Sequence, residues 1–312
     1  PKITRIFPGR GAFTAPTLSG ISTIYSIKMS ILDKISRRAS RLGESLATIA
    51  KVCLLSRKAS SPASGEKENK RTLVILGNGP SLRGVLDNPP AWLADTDRMA
   101  VNFAANTDMF RSMRPERYVL ADPHFFGGEK SDPNVKRLWE NLRGCDWPMT
   151  LHIPVKEAAR ARAHLAGNTR IILSTFNMTP GEGWPALTHP LFDAGLAMPR
   201  PRNVMIPAVM EGIRAGYHRI LLAGADHSWL QSLYVDDDNM VVSVQPHFYA
   251  DNDKEKERVR SEYAGYHLHD ILGSMTVAFR SYHEIAAYAA KRGVTILNAT
   301  PGSYIDAFPR LR

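Results

Sequence analysis

The chain has little cysteine: Cys53 and Cys145 are its two thiols in 312 residues. Two cysteines make no disulfide framework, so a reducing compartment is expected and the fold must rest on apolar packing. No run of about 20 apolar residues occurs, so no transmembrane helix is expected. No internal repeat and no recognisable nucleic-acid module appear. The familiar phosphate signatures are missing too: there is no GxGxxG, and no P-loop with its Gly-Lys-Ser/Thr. The first residue is proline, so the lack of a leader segment excludes little. What is present is 44% hydrophobic residues, enough for one sizeable core with an appended segment. The formal net charge is +10 and the sequence pI about 9.7. That balance favours phosphate-rich partners, namely nucleic acid, an anionic membrane or nucleotide substrates.

Residues 1–70 differ from the rest. Ile24, Ile27, Ile31, Ile35, Leu42, Leu46, Ile49 and Cys53 recur at spacings of three and four, the mark of one helical face. Lys28, Lys34, Arg37, Arg38, Arg41 and Lys51 lie off that face. A basic amphipathic helix of this kind either lies on an anionic membrane, over about residues 20–56, or packs on the main domain or a neighbouring subunit. Ser56–Arg71 is polar, with Ser, Pro and Gly, and reads as a linker.

From Thr72 the pattern becomes strand, turn, helix, repeated over residues 71–312. Strands are expected at 72–77, 98–103, 117–122, 149–154, 169–174, 218–226 and 294–299. Helices are expected at 203–217, closing near Gly216, and at 281–293, closing at Gly293. This alternation predicts an α/β fold with a mostly parallel, Rossmann-like sheet. Residues 228–272 break the rhythm; they are polar and rich in His and Tyr, as an inserted lid would be.

In such sheets ligands bind beyond the carboxyl ends of the strands. Gly77-Asn78-Gly79-Pro80-Ser81 follows the first strand. Its glycines would let backbone amides approach a phosphate, at a helix N-terminus whose dipole favours anions. The alternative is a tight turn with Ser81 as a helix N-cap. Asn102, Asp122 and Asp226 end three further strands, where an aspartate can also merely cap a turn. Asp236-Asp237-Asp238 contains an Asp-x-Asp spacing suited to a divalent metal. It reads equally as a hairpin turn at Asp238-Asn239.

"ILGNGPSL", then "AVNF", "YVLADPHFF" and "GIRAGYHRILLAGADHSW", resembles the bacterial sialyltransferases of glycosyltransferase family 42, over most of Thr72 to Phe308. The glycine turn is also similar to that of proteins related to 6-hydroxymethylpterin pyrophosphokinases. The first resemblance implies a GT-A-variant fold with a lid, a CMP-sugar donor, a glycan or glycolipid acceptor, and inverting transfer with no metal or other cofactor. It implies that Gly77, Asn78, Gly79, Pro80 and Ser81 hold phosphate and ribose, and that Asn102 contacts the nucleotide. Asp122 stands where the family has asparagine, and Asn203 near a Thr-Ser pair that touches the donor. Ser228 and Tyr234 occupy the positions of two tyrosines that stabilise the leaving phosphate; Ser228 departs from the pattern, and His227, Trp229 or Tyr249 are substitutes. The general base carries over to His247, with His267 and His269 as alternatives, since a neutral imidazole accepts a hydroxyl proton. Asp226 joins His247 and Tyr234 as a catalytic candidate. The resemblance further implies a homo-oligomer; the scarcity of cysteine and the basic helix lead to the expectation of a cytoplasmic protein or one peripheral on the inner membrane, and with no nucleic-acid module no nucleic-acid partner is expected. A Mg²⁺-dependent diphosphokinase, using Asp122, Asp226 and Asp236–Asp238, is the alternative function.

Overall fold

Apolar runs of four to six residues have no polar face to give to water, so they belong inside a sheet covered on both sides. The computed structural model describes residues 31–60, 72–129, 131–243 and 265–312 and places them so. Strands β1 (Thr72–Leu76), β2 (Asp97–Val101), β3 (Arg117–Val119), β4 (Met149–Pro154), β5 (Ile171–Phe176) and β6 (Arg219–Ala223) join a last strand, Thr295–Asn298, in one seven-stranded sheet. All neighbouring pairs are parallel. From one edge the order runs β5-β4-β3-β2-β1-β6 and ends on the last strand. The chain moves outward from β1 to β5 and then returns to β6 on the other side of β1. That reversal is the topological switch point of a doubly wound sheet.

Leu73 to Leu76 have no exposed surface, because β1 is covered on both faces. Leu73, Ile75, Met99, Val101, Ile220 and Leu222 face one core, shared with helices Met205–Arg214 and Leu268–Lys291. Val74, Leu76, Ala100, Tyr118, Leu151 and Leu221 face the other, shared with helix Pro133–Arg143. That last helix escapes the repeating-unit reading, although its caps are local: the Asp132 carboxylate accepts from Asn134 N–H, Pro133 opens it and Gly144 closes it. All seven strands start within two residues of expectation, and β2, β3 and β6 end two to three residues early. The helix expected to start at Ser281 starts at Leu268 instead, so the lid segment 228–272 gives its last turn to that helix. The described part of the segment also holds a short hairpin, Tyr234–Val235 against Val241–Val242.

The N-terminal helix, α1 (Ile31–Leu55), does pack on the main domain, but not by its apolar face. Ser45 and Thr48 are buried. Thr48 Oγ1 donates to the Glu182 carbonyl (2.8 Å) and accepts from Glu182 N–H (2.9 Å), while Trp184 N–H donates to Ser45 Oγ (2.9 Å). A side chain at Gly183 would overlap Ser45, and its φ of +116° also favours glycine. The Glu182 carboxylate collects Arg200, Lys51 (3.7 Å) and Arg280 (3.5 Å), tying α1 to two other segments. The linker expectation fails at its start. Ser56, Arg57 and Ser60 bond to Thr179, Asn177 and Thr175, so residues 56–60 cover the edge of β5. Among the described residues, no helix is long and apolar enough to cross a membrane.

Candidate functional site

Beyond the carboxyl ends of β1, β2, β3 and β6 lies a cavity of about 400 Å³, at the switch point. Gly77, Asn78, Gly79, Pro80, Asn102, Asp122, Asn203, Asp226 and Ser228 all line it, joined by His227, Trp229 and Arg202. Residues far apart in sequence thus meet because each sits at the end of a parallel strand or at the start of a helix.

The glycine turn does a different job from the expected one. Gly77 N–H donates to Ala223 O (2.7 Å) and Gly79 N–H to Gly224 O (2.9 Å). Ser81 N–H and Oγ–H donate to the two carboxylate oxygens of Asp226, at 3.3 and 2.7 Å. These amides are therefore spent inside the protein, and the expected amide cradle for a phosphate is not formed by them. Ser81 does not cap its helix by its side chain either. The glycines allow the β1 and β6 exits to touch. A Cβ on Gly77 would stand 2.5 Å from Gly224 O, and one on Gly79 would overlap Asp226 Oδ2. Gly224, at φ +68°, completes the contact. Asp226 is a positioning residue in this arrangement: its carboxylate holds the turn that presents Asn78.

Asn78 is nearly buried and donates by Nδ2 to Val101 O (3.2 Å), linking the β1 and β2 exits. Asn102 takes φ +52°, in the left-handed region that asparagine tolerates better than most side chains. Tyr118 holds it there, donating its hydroxyl to Asn102 O while accepting from Ala105 N–H (2.8 Å). His227 has φ +51°. Two non-glycine residues in strained backbone on one cavity wall are the kind of feature that clusters at binding sites.

His227 begins a chain of three side chains. Met205 N–H donates to Asn203 Oδ1 (3.0 Å), which fixes how that amide is turned. Tyr282 then donates its hydroxyl to the same oxygen (2.9 Å) and accepts from His227 Nε2–H (2.6 Å). The histidine proton is therefore on Nε2, and Nδ1 carries the lone pair. Burial pushes the His227 imidazole down to about 3, so it is neutral across the physiological range. Burial likewise raises the Tyr282 phenol, and its bond to Asn203 opposes the rise. Asn203 Nδ2 is left buried and without a partner among the described residues, on the wall of the cavity. A buried orphan donor of this kind calls for a ligand acceptor or water.

Other candidates fall elsewhere. Asp122 lines the cavity, but its Oδ1 accepts from His124 N–H (2.8 Å), the turn-capping role open to any strand-end aspartate. Tyr234 is 53% exposed on the hairpin and does not line the cavity. The structure therefore does not support it as a phosphate contact. His247 and Tyr249 lie outside the described residues. His267 N–H donates to Asp270 at the start of the last helix, and His269 is 3.4 Å from Asp270, so both serve that helix end. Asp236 caps its own hairpin, accepting from Asp238 and Met240 N–H, with Asn239 at φ +58°. Among the described residues, no group of three or more His, Cys, Asp or Glu is placed to hold a metal ion. Sequence reading missed Tyr282 and Arg202. Tyr282 has no local signal, because it looks like one more aromatic on a helix's core face. Arg202 is the one Lys or Arg on the cavity wall among the described residues, and it is exposed.

No protein-family model matches this chain, and no curated protein matches it. Among solved structures it is similar to the MAf glycosyltransferase from Magnetospirillum magneticum AMB-1, at 12% identity and a TM-score of 0.45. The match covers 86% of this chain and 38% of that one, so this chain spans well under half of the other's length.

Proposed function

We propose that the protein is an inverting glycosyltransferase that moves a nonulosonic acid, such as sialic acid or Kdo, from a CMP-activated donor to a hydroxyl of a bacterial surface glycan. The observation that carries this reading is the meeting of Asn78, Asn102, Asn203, His227 and Ser228 in one cavity at the switch point of the sheet. These are the motifs on which the sialyltransferase resemblance rests, together with the polar groups between them.

Transfer breaks the bond between the anomeric carbon and the phosphate oxygen as the acceptor oxygen attacks from the other side. Positive charge grows on the sugar and negative charge on the phosphate, and the acceptor proton leaves to a base. Donors fixed in advance around the phosphate lower that barrier. With the Gly77, Gly79 and Ser81 amides engaged, the donors in this reading are Arg202, Asn203 Nδ2 and the Asn102 side chain. Asn78 and Ser228 face the nucleoside, and Trp229 offers a flat face to base or sugar. His227 is too weakly basic at its buried pKa to take the acceptor proton near neutrality. Its role is to present a fixed neutral acceptor at Nδ1. The base in this proposal remains His247, carried by a lid that excludes water.

The test is release of CMP from CMP-sialic acid and CMP-Kdo, each with and without a glycan acceptor. Acceptor-dependent release from either donor supports the proposal. No release from any CMP-sugar, with the protein folded, overturns it.

A further inference from the structure

Helix α1 is turned inside out relative to its pattern. The face that docks is the small, polar one of Ser45 and Thr48, with Val52 beside the core. The apolar stripe points to solvent: Leu42 is 43% exposed, Leu46 60% and Ile49 42%, with exposed Leu54 off to one side. Cys53 and the alanines between are exposed as well. An exposed stripe of this length on a docked helix needs an occupant.

Charge identifies it. Residues 1–71 hold 14 Lys and Arg against four Asp and Glu, while residues 72–312 hold 26 against 26. The whole net charge of +10 therefore belongs to the segment that carries the stripe, and the α/β body is neutral. Exposed Arg38 stands toward one end of the stripe and exposed Arg57 and Lys58 at the other. A second copy of the chain would bring two such cationic segments together, at a Coulombic cost. An anionic bilayer offers the opposite charge at its headgroups and an apolar layer beneath them.

We infer that α1 is a membrane-docking surface that seats its exposed apolar stripe in an anionic lipid leaflet, with the flanking Arg and Lys on the headgroups. The helix is held rigidly to the body by the Ser45, Thr48 and Glu182 contacts, so the body would be oriented as well as attached. Ser56, just past α1, lies 2.8 Å from Thr179, and neighbouring Met178 lines the cavity. The carboxyl end of α1 is thus near the cavity, which suits a lipid-borne acceptor. That last point rests on the glycosyl-transfer reading; the membrane contact does not.

The experiment is flotation of the full chain with vesicles of pure phosphatidylcholine and with vesicles containing about one third phosphatidylglycerol. The protein should float with the anionic vesicles and stay behind with the neutral ones. Leu46→Glu with Ile49→Glu should weaken binding at least tenfold while the melting temperature holds, since both residues are solvent-exposed. Arg38→Glu with Lys58→Glu, or about 0.5 M NaCl, should weaken it too. Failure to float with anionic vesicles, or flotation indifferent to the Leu46 and Ile49 changes, overturns the inference. So does a dimer that the Leu46 and Ile49 changes dissolve without affecting lipid binding, because the stripe would then belong to a second copy. None of these readouts depends on CMP-sugar turnover, so a failed donor assay leaves this test intact.

Discussion

Two polar clusters sit on the same sheet and behave in opposite ways. One lies under helix Met205–Arg214. There Tyr217 donates to Asp97 (2.6 Å), Arg117 donates to Tyr217 (3.1 Å) and to His152 Nε2 (3.2 Å), His152 Nδ1–H donates to Glu211 (3.0 Å), and Arg214 closes the chain on Glu211 (2.5 Å). Each end of the chain is a charge met by an opposite charge or a hydrogen bond. The other cluster, His227–Tyr282–Asn203, starts from an imidazole and ends on a buried amide nitrogen that has no partner among the described residues. Buried polarity that closes on itself serves the fold. Buried polarity that ends in a surplus donor at a cavity is available to a ligand.

The sharpest way to test that contrast is to break each cluster and read both stability and binding. Glu211→Ala leaves buried His152 and partly buried Arg214 without their carboxylate. It should cost about 3–5 kcal/mol by urea unfolding, with CMP affinity of the folded protein within about twofold of wild type. A cost below about 1 kcal/mol would mean that the closed cluster is not structural.

The open cluster should respond the other way round. Tyr282→Phe removes the partner of His227 Nε2–H and one donor to Asn203. Nucleotide affinity should fall about tenfold, roughly 1.4 kcal/mol, by calorimetric titration. Stability should fall by only about 1 kcal/mol. A large stability loss with unchanged affinity would assign this cluster to the fold as well.

Much of the fold and of the cavity wall was legible in the sequence, the contrast between the clusters was not, and the reasons are physical. Runs such as "TLVIL" and "RILLA" announce buried parallel strands because they have no polar face. Strand-end residues such as Asn78, Asn102 and Asp226 could be gathered at one edge because a parallel sheet places all its carboxyl ends together. The glycine turn misled in detail: "GNGPS" does not disclose that its partner is a second glycine turn 147 residues on, at Gly224. Tyr282 and Glu211 were invisible because a helix's core face hides polar atoms among apolar ones until their partners in other elements are known. The periodicity gave the apolar stripe of α1 over Leu42, Leu46, Ile49 and Cys53, its positions Ile24 and Ile27 lying outside the described residues, but which face docks is decided by Ser45, Thr48 and the loop at Gly183.

Acid should separate the clusters less cleanly. Burial holds the His227 imidazole down to about 3, against 6.5 in the unfolded chain, so the fold favours its neutral form. That contribution is present above pH 6.5 and is lost as pH falls from 6.5 toward 3. Burial lowers His152 as well, in the same direction. His227→Gln should therefore reduce, not abolish, the fall of melting temperature with acid; an unchanged profile would contradict the buried neutral imidazole. The smallest effect should come from outside both clusters. Burial raises the Glu284 carboxyl to about 7 from 4.5, so its contribution is present below pH 4.5 and is lost as pH rises through about 7. The side chain is 34% exposed, so solvent screening trims this contribution. Glu284→Gln should slightly raise the melting temperature above pH 7 and leave it unchanged near pH 4.5.

The most direct test of the central claim is a CMP titration without metal, following melting temperature in wild type, Glu211→Gln and Asn203→Ala. A ligand of the folded state raises the transition by mass action. CMP should raise it in wild type and in Glu211→Gln, and the rise should largely vanish in Asn203→Ala. No rise in wild type, or a rise that Asn203→Ala leaves intact, would contradict a nucleotide site at the switch point.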